Sequence, residues 1–477
     1  MWLETLLVVI VVVNAASAIV TVFRQPRDIA ATWAWLLVLM LIPVLGFVLY
    51  WLFGRKLSTN KLNALATQQR LGIDQMVAAQ QEAVELSQDQ GANSPFAGAP
   101  ELVRTLLKAD GALITTMNDV QLIFDRTEFS RRLFADLEAA QHHIHIEAYT
   151  IAPDAHGQAL VQLLVKKVEA GVRVRVIYDT FGSHRLNRNF WRPLIAAGGM
   201  VEPFIATKLG RANLRINFRN HRKITVIDGR VGYMGGFDIG SSSRKYLITQ
   251  DTQLRISGQA VASLQARFFM DWNTTARIKK VHFQRAYFPE SHDTGRTTMQ
   301  IVSGGPEQDL EAIKLGDLRL LALAKRRIWV QSPFFVPDDS LLDGLILAAQ
   351  SGMDVRLMVP KQTNQPLMAK ATAFYLNRLA KHGVKVYRYD AGFLHRKVII
   401  VDSQYLMTGS PNLDVRSFKL NFEIAAFIYD QALAERAERQ FKLDLQQATA
   451  YTYAEVKSQT RWHQMGTELA RLFAPIL

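Results

Sequence analysis

The chain has 477 residues, 49% of them hydrophobic, which excludes wholesale disorder and suffices for two or three domains around a large core. It contains no cysteine, so disulfides, zinc–thiolate sites, iron–sulfur clusters and cysteine nucleophiles are excluded. The formal charge of +14 favours an anionic partner, nucleic acid or an anionic lipid surface, without choosing between them.

Two apolar runs open the chain, residues 6–23 and 31–53, and neither carries a charge. A helix needs about 20 such residues to cross the hydrocarbon core of a bilayer. Trp2, Trp33, Trp35, Tyr50 and Trp51 lie near the run ends, where amphipathic rings favour the headgroup zone. A transmembrane helical hairpin over residues 1–57 is therefore expected, with Pro43 and Gly46 as a kink in its second helix. The alternative is a cleaved signal peptide, but no basic region precedes the first run and a second run follows at once. Arg24 and Arg27 sit in the connecting loop, and Arg55, Lys56, Lys61 and Arg70 follow the second run. The positive-inside rule favours a cytoplasmic body for this multi-pass reading. Residues 58–100 read as a juxtamembrane linker with a helical stretch over 78–86.

From residue 101 the chain carries an internal repeat. In the first half Ile144, Ile146 and Ala148 alternate as in a strand and run on to Pro153-Asp154. A helical stretch over 158–170, then Gly171 and a strand over 174–179, follow. In the second half Ile328, Val330 and Ser332 alternate and run on to Pro337-Asp338. A helix over 341–351, Gly352 and a strand over 355–360 follow. Each half is a βαβ frame, so an α/β fold of two pseudo-symmetric α-β-α sandwich halves is expected, over residues 101–295 and 296–477.

A second repeat carries the chemistry. His221-Arg222-Lys223 precedes Asp228 and then Gly235-Gly236-Phe237-Asp238. His395-Arg396-Lys397 precedes Asp402 and then Gly409-Ser410-Pro411-Asn412. The offsets from histidine to aspartate, first glycine and final polar residue are the same in both halves. Residues i and i+2 of a strand share a face, so His221 and Lys223 project together, as do His395 and Lys397. Packed about a pseudo-twofold, the halves would bring two imidazoles and two ammoniums to one site. That set suits a phosphodiester. Lysines neutralise the non-bridging oxygens. One imidazole attacks phosphorus, and the other serves first as acid and then as base. No metal or other cofactor is required, because the lysines do the charge work.

These residues resemble the duplicated His-x-Lys-x4-Asp signature of the phospholipase D superfamily, over the whole body from residue 101. Within it the pattern is similar to the bacterial cardiolipin synthase family. Trp33, Pro43, Gly46, Tyr50 and Gly54 belong to that likeness, with Asn217-Phe218-Arg219-Asn220 and Asp271-Trp272. Ser303-Gly304-Gly305-Pro306, residues 331–338, Asp414, Arg416, Ser417, Asn421 and Glu423 complete it. The resemblance implies that two phosphatidylglycerols become cardiolipin and glycerol through a phosphohistidine. It implies lipid partners, the bilayer of the bacterial inner membrane as location, and no nucleic acid. His221 is the expected nucleophile and His395 the acid and base, with the reverse assignment open. Lys223, Lys397, Asn412 and Ser410 are expected at phosphate, and Asp251 and Glu423 at the histidines. Asp228 and Asp402 are counted with the catalytic signature, their own expected part being to hold the strand–turn connection. Glu147 is either a pocket residue or a rim carboxylate.

Asp238 departs from the family pattern, which has asparagine there. It is either protonated, paired with Lys223 or Arg244, or turned away. Gly236 likewise stands where the second half has Ser410. The same residues would serve a phospholipase D that uses water as acceptor. A nucleic-acid phosphodiesterase is a third reading, opposed by the two apolar runs. Finally, Trp462, Met465, Leu469, Leu472 and Phe473 recur at helical spacing. This stripe is read as packing on the catalytic body, with interfacial docking as the alternative.

Overall fold

The computed structural model describes residues 29–42, 45–46, 50, 73–86, 98–187, 189–204, 218–240, 249–275, 280–281, 284–290, 295–363 and 365–472, with Trp2 and Ala16. The chain divides into two compact units, residues 1–62 with 206–218, and residues 63–205 with 219–477. In the first unit α1 (Ile29–Leu41) contains no charged residue. Leu36, Leu39 and Tyr50 are buried together, and Trp35 meets Tyr50 edge-on at 5.2 Å. Trp33, Leu37, Met40 and Leu41 are exposed. Among the described residues no helix is long and apolar enough to cross a membrane. Of the expected first span, all but Ala16 lies outside the described residues, as do Arg24, Arg27, Arg55, Lys56, Lys61 and Arg70.

The second unit begins with α2 (Ile73–Leu86) packed on α3 (Pro100–Asp110). Gln80 exchanges hydrogen bonds of 2.8 and 2.9 Å with the backbone of Ile114. The first half then runs β1 (Ile114–Thr115), β2 (Asn118–Ile123), α4 (Arg126–Ala139), β3 (His143–Ala148), α5 (Ala155–Glu169), β4 (Arg173–Tyr178), α6 (Arg192–Ala196) and β5 (Met200–Pro203). It closes with β6 (Ile224–Ile227), β7 (Val231–Gly235), β8 (Thr249–Gln250), β9 (Gln253–Gly258) and α7 (Ala260–Thr275). The second half follows as β10 (Met299–Gly304), α8 (Ala312–Ala322), β11 (Arg327–Gln331), β12 (Phe335–Val336), α9 (Asp339–Gln350), β13 (Asp354–Pro360), α10 (Pro366–Lys381) and β14 (Lys385–Tyr389). Then come β15 (Phe393–Leu394), β16 (Val398–Val401), β17 (Tyr405–Gly409), β18 (Leu413–Asp414), α11 (Val415–Lys419), β19 (Glu423–Ile428), α12 (Gln431–Leu445) and β20 (Ala448–Tyr451). Two short helices end the described chain, α13 (Tyr453–Ser458) and α14 (Arg461–Arg471).

The internal repeat governs the sheets. The first sheet has the order β2-β9-β7-β6-β3-β4-β5. The second has β10-β19-β17-β16-β11-β13-β14, the same order element for element, with β1 and β20 added at its edges. In each, the βαβ frame gives a parallel pair and the histidine-motif hairpin an antiparallel one. Asp154 and Asp338, which end the repeated strand segment, cap α5 and α9 by accepting from Gly157 N and Leu341 N. Such a cap is worth about 1 kcal/mol. Ile144, Ile146 and Val174 face one outer core, against Phe129 and Leu133 of α4 and Leu160 of α5. Ile328 and Val355 face the other, against α8, α9 and α10. A third core joins the inner faces of both sheets with α7 and α12.

The alternate face of β3 carries a buried polar cluster that the sequence reading passed over. His143 and His145 are fully buried and share Gln265 of α7 through contacts of 2.9 to 3.2 Å. His142, Arg173, Arg175 and Tyr287 surround them. Burial pushes the His143 imidazole down to about 4, and burial beside His143 and Arg175 holds His145 well below the usual range. Both rings are therefore neutral in the folded protein. The unfolded chain protonates them near pH 6.5, so their stability contribution is present above that value and is lost as pH falls toward 4. Thermal unfolding is expected to show a loss of about 2 kcal/mol or more between pH 7 and pH 5. A flat profile over that range would contradict neutral burial.

One expectation is corrected at the C-terminus. The apolar stripe of α14 does not pack on the catalytic body. Trp462, Met465, Leu469 and Leu472 are exposed, at 79%, 44%, 53% and 66%. The helix packs on α10 through its opposite side, where Thr467 and Ala470 are buried. Small side chains let the helices approach, and they leave the large apolar ones outside. Phe473 lies outside the described residues.

Candidate active site

A cleft of about 330 Å³ lies between the two halves of the second unit. His221, Lys223, His395 and Lys397 all line it, with Asp238, Ser410 and Asn412. The duplicated motif thus converges as its spacing predicts.

The two halves are stitched together at the motifs. His221 N donates to Phe422 O at 2.9 Å, and Phe422 N donates to Arg219 O at 2.8 Å. Symmetrically, β15 pairs with β8, and His395 N donates to Gln250 O at 2.7 Å. Each histidine therefore lies beside the chain segment that carries the other half's carboxylate. Glu423 Oε1 lies 3.0 Å from His221 Nδ1, and Asp251 Oδ2 lies 2.6 Å from His395 Nδ1. The orienting carboxylates are exchanged between halves. With both Nδ1 atoms engaged, each ring is left with Nε2 for a phosphorus in the cleft.

The middle residues of the motifs hold this exchange in place. Arg222 is fully buried, grips Asp271 of α7 with two contacts of 2.9 Å, and donates to Glu423 O at 3.1 Å. Arg396 repeats the arrangement, binding Asp444 of α12 at 2.9 Å and donating to Asp251 O. The sequence reading quoted both arginines without giving them a role. Equal placement in the two motifs was the signal.

Charge is distributed unevenly. Asp251 is buried, yet Lys397 and His395 hold its carboxyl down to about 2 against the cost of burial. Burial lowers Lys397 to about 8, partly offset by Asp251. Burial and the Lys397 charge lower His395 below its usual range, partly offset by Asp251. Glu423 is lowered by His221, Ser410 and Lys223 against burial.

Asp238 is paired with Lys223, at 3.8 Å, and accepts from Thr150 N at 3.2 Å. Of the alternatives for this residue the structure takes that one; Arg244 lies outside the described residues. Ser410 lines the cleft, but its hydroxyl donates to Glu423 at 2.5 Å. Gly236 stands in the matching place because a Cβ there would lie 2.0 Å from an Asp251 carboxylate oxygen. The serine–glycine asymmetry thus follows the exchanged carboxylates and does not remove a phosphate ligand.

Five expected site residues lie outside the cleft lining: Asp251 and Glu423, which stand behind the histidines, and Glu147, Asp228 and Asp402. Glu147 is buried and accepts from Asn220 Nδ2 at 2.5 Å, with burial and Asp271 raising its carboxyl well above the usual range. It props the segment before His221 and is no pocket residue. Asp228, at φ 55°, accepts from the backbone nitrogens of Gln141, His142 and His143 at 2.7 to 2.8 Å. Asp402, at φ 53°, does the same for Lys325, Arg326 and Arg327 at 2.8 to 2.9 Å. Both hold the start of a neighbouring strand, the part expected of them, and neither lines the cleft. Conversely, Tyr149 and Phe393 were missed as cleft residues. Tyr149 meets the His221 ring edge-on at 4.3 Å, and Phe393 lies 5.5 Å from the His395 ring.

The fold is similar to that in the crystal structure of phosphatidylserine synthase from Haemophilus influenzae, with a TM-score of 0.59 and 16% identity, covering 79% of this chain and all of that one. Residues 133–272 and 318–445 match the family model "Cardiolipin synthase, PLD-like domain", and residues 7–55 match "Phospholipase_D-nuclease N-terminal". Fold and site together define a duplicated phospholipase D-type centre. The chain is 40% identical to a Listeria monocytogenes cardiolipin synthase over 100% of this chain and 99% of that one. It is 40% identical to the major cardiolipin synthase of Bacillus subtilis over 98% of each chain, and 37% identical to a cardiolipin synthase of Staphylococcus aureus over 98% of this chain and 95% of that one. The chain belongs to the cardiolipin synthase family of the phospholipase D superfamily.

Proposed function

We propose that the cleft transfers a phosphatidyl group from one phosphatidylglycerol to another, releasing glycerol and forming cardiolipin. The observation that carries this reading is the pair of histidine–lysine motifs around one cleft, in a chain similar end to end to cardiolipin synthases. His221 Nε2 attacks phosphorus, forming the N–P bond as the P–O bond to glycerol breaks. His395 gives its proton to the departing oxygen. The terminal hydroxyl of the second phosphatidylglycerol then loses its proton to His395 and attacks phosphorus, breaking the N–P bond. Lys223, Lys397 and Asn412 bind the phosphate oxygens. The N-terminal apolar runs, over which the chain matches the N-terminal family model, anchor the enzyme in the bacterial inner membrane as a helical hairpin, with the body cytoplasmic.

The direct test is incubation of the purified full chain with headgroup-labelled phosphatidylglycerol. Cardiolipin with free glycerol is expected; phosphatidic acid as the main product would favour a hydrolase. Activity is expected to survive EDTA, since lysines supply the charge, and a loss reversed only by a divalent ion would defeat that account. The profile of kcat/KM is expected to fall above about pH 8, where Lys397 loses its proton. Lys397→Arg is expected to move that alkaline limb upward while lowering the plateau, because a guanidinium keeps its charge but not the ammonium's place. An unmoved limb would remove Lys397 from this role.

A further inference from the structure

We propose that α14 is an interfacial helix that lays its outward apolar face on the anionic bilayer and so turns the cleft mouth toward its lipid substrate. The inference rests on the lipid-transferase reading above and adds to it the surface by which the body meets the membrane. Trp462, Met465, Leu469 and Leu472 fall at intervals of three, four and three residues, one side of a helix. The buried Thr467 and Ala470 mark the other side. A helix that presents its small residues to the protein and its large apolar ones to solvent has its amphipathic sense reversed for a soluble surface. Exposed apolar patches of that kind mark binding surfaces.

Three observations select a bilayer as the occupant. Arg461 and Arg471 flank the stripe against a single Glu468, in a chain of charge +14. Tryptophan beside arginine on an amphipathic helix fits the headgroup boundary. The helix also packs on α10, whose first turn follows the cleft-lining Gln365. Arg471 stacks on Phe374 of α10 at 4.5 Å, and Leu367, exposed at 41%, lies two turns back along that helix, about 10 Å away. Leu367 is two residues from Gln365, which lines the cleft together with the exposed Phe181. On this proposal a lipid headgroup enters the cleft while its acyl chains stay in the bilayer that α14 touches.

The absence of cysteine makes the test direct. Leu469→Cys in the full chain, labelled with a polarity-sensitive fluorophore, is reconstituted in vesicles of phosphatidylcholine and phosphatidylglycerol. Glu169→Cys, at the far end of α5 from the cleft-lining Ala152, is the reference. The label at 469 is expected to be quenched roughly threefold more than the reference by nitroxide on the acyl chains, and less by aqueous iodide. A label open to iodide and untouched by lipid nitroxide overturns the proposal. A label shielded from both overturns it too, since protein, from this chain or a second copy, would then cover the face. Separately, Trp462→Glu with Leu469→Glu is expected to raise the lipid mole fraction giving half-maximal rate about tenfold, with kcat and the rate on dispersed short-chain phosphatidylglycerol unchanged. An unchanged half-maximal fraction overturns it. If the unaltered chain makes no phosphatidyl product at all, the lipid-transferase reading fails, while the quenching result still decides where α14 lies.

Discussion

Given a phosphatidyl ester whose leaving group is p-nitrophenolate, the His395→Ala variant is expected to release about one equivalent of p-nitrophenol and then stall. The reason is the division of labour between two otherwise similar rings. p-Nitrophenolate departs as an anion near neutral pH and needs no proton from His395. His221, its Nδ1 held 3.0 Å from Glu423, retains its nucleophilic nitrogen and forms the phosphatidyl-enzyme. The second step then fails, because nothing deprotonates the acceptor hydroxyl. The stalled protein carries an acid-labile mass increment on the peptide containing His221. His221→Ala is expected to give no burst with the same ester. With phosphatidylglycerol itself both variants lose activity by a factor on the order of 10⁴ or more, since either the covalent route or both proton transfers are gone. A burst from His221→Ala and none from His395→Ala would exchange the two roles.

The sheets were legible in the sequence because their signal is local. Alternation at Ile144, Ile146 and Ala148, and at Ile328 and Val330, reports burial on one face, and the structure places those residues in the outer cores. The same alternation puts His143, His145 and Glu147 on the opposite face, which is why Glu147 turns out to be a buried prop. Equal spacing in the two motifs carried the convergence of His221 and His395, because a repeated frame repeats its geometry. The pairing of each histidine with the other half's carboxylate had no such signal. Asp251 and Glu423 stand at similar distances after His221 and His395 in the chain, and sequence distance cannot tell an intra-half contact from an exchanged one. Asp228 and Asp402, counted with the signature and expected to hold the strand–turn connection, do hold it. They sit in the signature because a turn at positive φ and three backbone donors need an aspartate there, a requirement of folding that spacing cannot separate from chemistry. At α14 the period identified one side of a helix, but only packing through Thr467 and Ala470 could show that this side faces outward.

The exchange makes a prediction that runs against chain order. Asp251 follows the His221 motif, yet Asp251→Asn is expected to damage the steps His395 performs. With the p-nitrophenyl ester this variant should keep a rapid burst and lose turnover by about 10²–10³-fold, because an amide cannot stabilise the imidazolium form of His395. Glu423→Gln, though it follows the His395 motif, is expected to slow the burst itself by a comparable factor, because His221 then loses the carboxylate that orients it. Opposite outcomes would mean that each carboxylate serves its own half. Stability gives an independent reading. The Asp251 carboxyl is held near 2 by Lys397 and His395, so its contribution of about 2 kcal/mol is present above pH 4 and is lost as pH falls from about 4 toward 2. Asp251→Asn forfeits that contribution at neutral pH and leaves Lys397, already lowered by burial, without its nearest anion. The ammonium of Lys397 then deprotonates more easily. The alkaline limb of the variant's pH profile is therefore expected to move below 8, while Glu423→Gln, whose carboxylate stands at His221, leaves it nearly in place.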